Sequence, residues 1–486
     1  MPGSDDLAWR DATEQAELVA LREVSALELV DAAIARVEEL DPTLNAVPLR
    51  MFDEARERAA GPLTGPFAGV PFIRKNLGAS LRGEPFTAGL KVLAEMEFRH
   101  PGPDAYLAAR FRDAGLVTLG KGNVPEMAIR AVTEPESHGP THNPWRLGHS
   151  CGGSSGGSAV AVASGMVPAA HATDGGGSIR IPASANGLVG LKPSRGRESD
   201  GPGAGDVWRG LAYELAVTRS VRDTAALLDV AAGTMPGDPW GAPSPQRAYR
   251  EEVGADPGRL RIGLLDRSPI PWPRLHPDCV AAVRDAARLL EELGHDVELD
   301  HPAVVDEVDY RPEFLTVVAA HVRDELDGIG ALVGRPLTDD DMEPWTWALG
   351  EHGRSIALTD YIATGRVFNS YARATGAWHA GGHDLLLSAT LLTPPPPFGS
   401  MDFDPADPLG VFDTLREFLP FTPIANMTGQ PAISLPLHWN DQGLPVGVHL
   451  MAAYGREDVL LRVAAQLEQA RPWAHRTPPV SAGAAV

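Results

Sequence analysis

Lysine is scarce in this chain. Only Lys75, Lys91, Lys121 and Lys192 occur among 486 residues, so arginine supplies almost all of the positive charge. Arginine keeps its proton inside proteins, whereas a buried lysine can be tuned into a base, so each lysine is a candidate for chemistry. Cysteine is rarer still. Cys151 and Cys279 alone give no disulfide framework, which suits a reducing compartment and sets the expectation of a cytoplasmic protein. Positive charge as a whole is short: 42 Lys and Arg face 64 Asp and Glu, for a net charge of −22. That balance argues against nucleic acid and against an anionic membrane as partners. No uninterrupted apolar run approaches the roughly eighteen residues of a membrane span, and the acidic start MPGSDDLAWRD lacks the apolar core of a signal peptide. HExxH and paired Cys/His spacings are also absent, so neither a metal nor another cofactor is expected.

What is present has the composition of an ordinary globular protein, 43% apolar and 22% charged. One stretch stands out: CGGSSGGSAVAVASGMVPAAHATDGGGSIR, from Cys151 to Arg180. Two glycine-serine clusters flank a run of small apolar residues. Glycine lets the backbone take positive φ and approach a ligand closely, and successive N–H groups in such turns converge on negative charge. A serine beside converging donors is what acyl transfer needs, a nucleophile next to an oxyanion hole.

Three blander readings compete. Gly/Ser repeats are the usual composition of a flexible linker, but Ala159 to Val167 is small and apolar, which suits a close-packed buried segment. A phosphate loop would need a Gly-Lys-Ser/Thr ending, and none is present. Residues 152–156 fit the G-x-S-x-G elbow, yet that elbow follows a hydrophobic strand, and NPWRLGHS at 143–150 is polar and turn-rich. The activator of such a serine stays open at this point. Fifteen histidines leave a Ser/His/Asp arrangement available, while Lys75 ends the apolar run Val70-Pro71-Phe72-Ile73. The bland fate of Lys75 is a strand end with its head in solvent.

Together, GVPFIRKN, GKGNVPE, CGGSSGGS, TDGGGSIRIPAS and GLKPSRGR resemble, in order and spacing, the amidase signature family, from near the N-terminus to about Pro478. The resemblance implies an α/β fold, a large mixed twisted β-sheet with helices on both faces. It also implies a Ser–cis-Ser–Lys triad at Ser178, Ser154 and Lys75. The backbone N–H groups of Gly175, Gly176, Gly177 and Ser178 would form the oxyanion hole, with Asp174 and Arg180 as bracing polar residues. Three departures stand out: Asn76 where the family often has Asp, Cys151 where proline is frequent, and Leu387-Ser388-Ala389 in place of a proline-ended strand. None touches the triad.

Taken in order, the chain reads as alternating strands and helices. Ser25 with Glu28 makes a capping box for a helix to Leu40, with Leu27, Val30, Ile34 and Val37 on one face and Asp41-Pro42 as its end. Phe67 to Ile73 reads as a strand, Asp104 to Ala114 as a helix and Leu116 to Leu119 as a strand. A βαβ unit is expected from Arg259–Leu265, Cys279–Leu293 and His295–Leu299. Asp339 to Asp341 reads as a solvated helix start. Phe421–Leu437 and Gly447–Ala453 resemble the family's last strands, with a closing helix from Glu457 to Gln469. Length alone would allow about three domains, but the resemblance implies one amidase domain over 1–486. Its signature core would cover about 65–200, with a βαβ-containing segment at about 255–350 packed on it and a disordered tail at 479–486.

Further phrases, WRDATEQAELV, TEPESHGPTHNPWRLG, GRPLTDDD, GQPAISLPL and AAYGREDVLLRVAAQLEQ, are similar to the branch of the family that opens 6-aminohexanoate cyclic dimers. This implies a small or cyclic amide as substrate, and a homodimer would be unsurprising. Pocket walls are expected just after Pro125-Glu126, around Val318 and at the Phe398 loop. A general linear or aryl amidase, esterase or urethanase is the alternative. An amidotransferase subunit fits the acidic surface poorly, and a catalytically silent scaffold fits poorly with retention of the whole triad.

Overall fold

A computed structural model describes residues 4–484, apart from 271–272, 405, 411, 413 and 415–417. Its frame is an eleven-stranded mixed sheet. In chain order the strands are β1 (Leu49–Arg50), β2 (Pro71–Lys75), β3 (Val117–Gly122), β4 (Ala169–Thr173), β5 (Val189–Lys192) and β6 (Glu214–Thr218). They continue as β7 (Arg261–Leu265), β8 (Asp296–Glu298), β9 (Leu385–Ala389), β10 (Ala432–Trp439) and β11 (Pro445–Ala452). Across the sheet the order is β1-β3-β2-β4-β6-β5-β10-β11-β9-β7-β8. Every residue of β2, β4, β5 and β9 is buried, as expected of strands covered on both faces rather than one. The α/β class and mixed sheet therefore match the expectation.

One detail of the topology places the site. β2 runs parallel to β4, with Phe72 opposite Ala169 and Ile73 opposite Ala170. Parallel neighbours end at the same edge, so Lys75 at the end of β2 lies beside Thr173 and Asp174 at the end of β4. The crevice outside the carboxyl ends of parallel strands is where open α/β sheets bind ligands.

The small apolar run of the signature forms the helix Gly156–Ala163, buried at every position. Its glycines permit contact at backbone distance: a Cβ on Gly157 would lie 2.1 Å from the Asn123 nitrogen and 2.4 Å from the Ala46 oxygen. The linker reading fails here for lack of room. Gly/Ser content serves close approach in this helix, not flexibility.

Most expected elements appear within two or three residues, among them the parallel pair β7 and β8 joined by the helix Pro277–Glu292. The acidic run Asp339–Asp341 is a short 3₁₀ turn capped by Thr338. The closing helix spans Glu457–Ala470. Four expectations are corrected. The helix expected from Ser25 has its capping box but runs through Pro42 to Leu44, leaving Leu27 exposed. Pro42 forfeits one hydrogen bond in the last turn, while the Asp41 carboxylate accepts the N–H groups of Ala46 and Val47 at 2.6 and 3.0 Å beyond the end. Phe67 to Gly69 form a turn, not strand, bonded to Ala114 and Gly115. The run after Phe421 is the helix Thr422–Thr428, with Pro423 in its first turn and Gly429 left-handed after its end. Those are the proline-start and glycine-stop positions of a helix. Finally, the tail is packed through Ala484: Ala482 donates to the Ser164 carbonyl and accepts from Trp9 Nε1. Residues 485–486 lie outside the described residues. Among the described residues no helix is long and apolar enough to cross a membrane.

Candidate active site

Lys75 is fully buried, not solvated at a strand end. Its Nζ donates to Ser154 Oγ at 2.7 Å and to Thr173 Oγ1 at 2.6 Å. Burial pulls its pKa down to about 7, against the opposing charges of Glu214 and Asp174. Its hydrogen bonds go to hydroxyls, so no carboxylate offsets the desolvation by direct contact. Ser154 itself is buried and follows a cis peptide bond from Gly153.

Ser178 sits two residues before the helix Arg180–Asn186, half-buried in the wall of a cavity of about 330 Å³. Among the described residues its hydroxyl has no hydrogen-bond partner, and the N–H groups of Gly175, Gly176, Gly177 and Ser178 are likewise unbonded. Four consecutive unused donors next to a free hydroxyl leave this loop with groups of the kind that receive anions. Gly175 and Gly176 line the same cavity as Ser178.

Asp174 and Arg180 form a fully buried two-pronged pair beneath this loop, Nε to Oδ2 and Nη2 to Oδ1 both at 2.9 Å. Burial raises the Asp174 pKa, but the Arg180 guanidinium, the Asn426 amide and the Lys192 charge hold it down at about 2. Asp174 therefore stays ionised, and its carboxylate also accepts the N–H of Ile179 at 3.2 Å. Asn76, in place of the frequent aspartate, clamps Thr87 through both ends of its amide and puts no charge next to Lys75.

The cavity wall is largely apolar, drawing on Ile129, Ile181, Phe314, Leu315, Val318 and Leu419. Two of the three expected walls are present, the segment after Glu126 and the region of Val318. Phe398 is not part of it. Its ring instead packs edge-on against His142, with centroids 4.8 Å apart. Sequence reasoning passed over Thr173, Trp208, Thr422 and Asn426. Thr173 adjoins Asp174 and was within reach of the motif, whereas Trp208 and helix 422–428 arrive from distant segments with no local signal. Met127, Ala128, Trp208 and Arg209 all have φ between 50° and 56°, a left-handed conformation that costs non-glycine residues energy and tends to gather at functional sites. Among the described residues no group of three or more His, Cys, Asp or Glu is placed to hold a metal ion.

Residues 28–461 match the Amidase family model. The 6-aminohexanoate-cyclic-dimer hydrolase of Pseudomonas sp. (strain NK87) is 44% identical over 478 residues, covering 97% of this chain and 96% of that protein. A solved structure of 6-aminohexanoate cyclic dimer hydrolase complexed with substrate has a TM-score of 0.94 at 42% identity, over 97% of this chain and 99% of the other. A bacterial aryl acylamidase of the amidase signature enzymes has a TM-score of 0.87 at 27% identity, over 98% and 99%. The chain belongs to the amidase family and is an amide-cleaving hydrolase.

Proposed function

We propose that the chain opens a small cyclic amide of the 6-aminohexanoate cyclic dimer type, through an acyl-enzyme on Ser178. The observation that carries the mechanism is the buried Lys75, bonded to Ser154 and with a pKa near 7. In its neutral form it takes a proton that passes from Ser178 through Ser154. Ser178 Oγ then bonds to the amide carbon, and the N–H groups of the glycine loop hold the oxyanion. The C–N bond breaks as the proton returns through the same relay to the leaving nitrogen. Water, deprotonated by the same relay, hydrolyses the resulting ester. The gap between the Ser178 and Ser154 hydroxyls closes when substrate seats, since catalytic hydrogen bonds often tighten only in the complex.

Relatives named for the cyclic dimer support the substrate class, and so does the apolar cavity. The cavity takes its walls from residues 128–131, from the glycine loop at Gly175, Gly176 and Ser178, from residues 309–318, and from Phe412, Leu419 and Pro423, which supports reading the chain as one amidase unit. An aryl amide is the second reading, favoured by the rings of Trp208, Tyr310 and Phe314 in the wall. The test is hydrolysis of the cyclic dimer, a linear amide and an aryl amide by wild type and Ser178→Ala. Ring opening that the variant loses supports the proposal. Turnover of linear or aryl amides alone removes the cyclic substrate, and an active Ser178→Ala removes the nucleophile.

A further inference from the structure

We infer that Thr422 is a positioning residue for the oxyanion site, acting through the peptide plane between Gly176 and Gly177. The inference rests on the reading of the glycine loop given above. The Thr422 hydroxyl is fully buried and donates to the Gly176 carbonyl at 2.7 Å. That peptide is trans, so its carbonyl and the N–H that follows point in opposite directions. A carbonyl held toward the helix Thr422–Thr428 commits the Gly177 N–H to the other side.

The plane before Gly175 is held in the same way. The Asp174 carbonyl accepts from Asn426 Nδ2 at 2.8 Å and from the Tyr213 N–H at 3.2 Å, which directs the Gly175 N–H away from both. Two alternate carbonyls are therefore pinned, by side chains more than two hundred residues downstream and, at Asp174, also by the N–H just before β6, and their partner N–H groups are left unbonded. The fit at Thr422 is close. Gly177 has φ +137°, and a Cβ there would lie 2.4 Å from Thr422 Oγ1, so only glycine leaves room for the hydroxyl. Pro423, the next residue, reaches the cavity wall beside Gly175, Gly176 and Ser178. Helix 422–428 thus joins the loop's back to the cavity's front.

Without the hydroxyl, the half-buried Gly176 carbonyl loses the group that holds it, and the plane is free to turn. Losing an oxyanion donor outright typically costs 10²–10³ in kcat, so losing its orientation should cost less. The test uses the full chain with Thr422→Val, which keeps the branched shape and removes the donor, and Thr422→Ser, which keeps the donor. Expected for Thr422→Val is a fall in kcat of about 10–100-fold with KM changed less than about 2-fold. A boronic acid analogue of the substrate, which forms a tetrahedral adduct with the serine, should weaken by the same factor. Thr422→Ser should stay within about 3-fold of wild type on both measures. If Thr422→Val does not fold, Thr422→Ala is expected to show the same split. Unchanged kcat and inhibitor affinity in Thr422→Val would overturn the inference, as would a Thr422→Ser as impaired as the valine variant. Ser178→Ala alongside separates the two claims: an active Ser178→Ala sinks the reading of the loop, whereas an inactive one with fully active Thr422→Val removes Thr422 alone.

Discussion

Three of the four lysines are buried, at positions 75, 121 and 192, and burial lowers the pKa of all three. Their partners distinguish them. Lys121 holds the Glu84 carboxylate at 2.9 Å, and Lys192 donates to the Pro193 carbonyl while its Nζ sits 3.4 Å over the Tyr213 ring. Lys75 alone bonds only hydroxyls, one of them on a signature serine. A base must be neutral to accept a proton, so activity should rise as pH climbs through about 7 and fall away below it. A kcat/KM profile that stays flat from pH 5 to 9 would contradict this. Lys75→Met should lose about 10²–10⁴-fold in kcat/KM. The same shift has a stability consequence. Unfolded, Lys75 titrates near 10.5, and folded, near 7, so between those values the unfolded chain holds the extra proton and stability rises with pH. The lysine's destabilising share is full below about 7 and gone above about 10.5. Legibility at this scale followed from scarcity and motif: with so few lysines, Lys75 could be picked out from the sequence. Its burial could not, because that depends on segments distant in sequence, Ser154 and Thr173 among them, packing around it.

At the scale of elements, the signature works through what its glycines and capping groups allow. The Ser25–Glu28 box was fully legible, since both residues stand in one short run and bond each other as expected. Ser25→Ala should cost about 1 kcal/mol in chemical unfolding and leave kcat unchanged. Asp174 and Arg180 were named through the family resemblance alone, and Asn426, which ties them to helix 422–428 at 2.6–2.8 Å, carried no signal in the sequence. That helix is hard to read because the seven residues TPIANMT are too few to carry a period that separates strand from helix. Asp174→Ala leaves the Arg180 guanidinium buried without its carboxylate, an arrangement worth about 3–5 kcal/mol. A large drop in the denaturation midpoint is expected, and a variant as stable as wild type would refute the pairing's role. Because the Asp174 pKa lies below its ordinary 3.8, its contribution is intact above that value and is lost as pH falls through about 2.

At the scale of the molecule, the cavity is where distant segments meet. Its floor comes from the glycine loop and its far wall from the helix Arg311–Val333, which a linear reading could place only by resemblance. Leu315→Trp should fill part of that space, raising KM for a cyclic bis-amide about tenfold or more while a small linear amide is affected far less. Equal losses on both substrates would mean that this wall does not set size. The ring gives the most direct test of all. On the proposed mechanism, ring opening by Ser178 leaves the amine attached to the acyl group, so the acyl-enzyme would keep the whole substrate mass. Acid-quenched enzyme, mixed with the cyclic dimer and measured as intact protein, is expected to gain the full mass of the ring, on the peptide carrying Ser178 and not in Ser178→Ala. Turnover of the dimer with an adduct on another residue, or equal turnover by Ser178→Ala, would contradict the account.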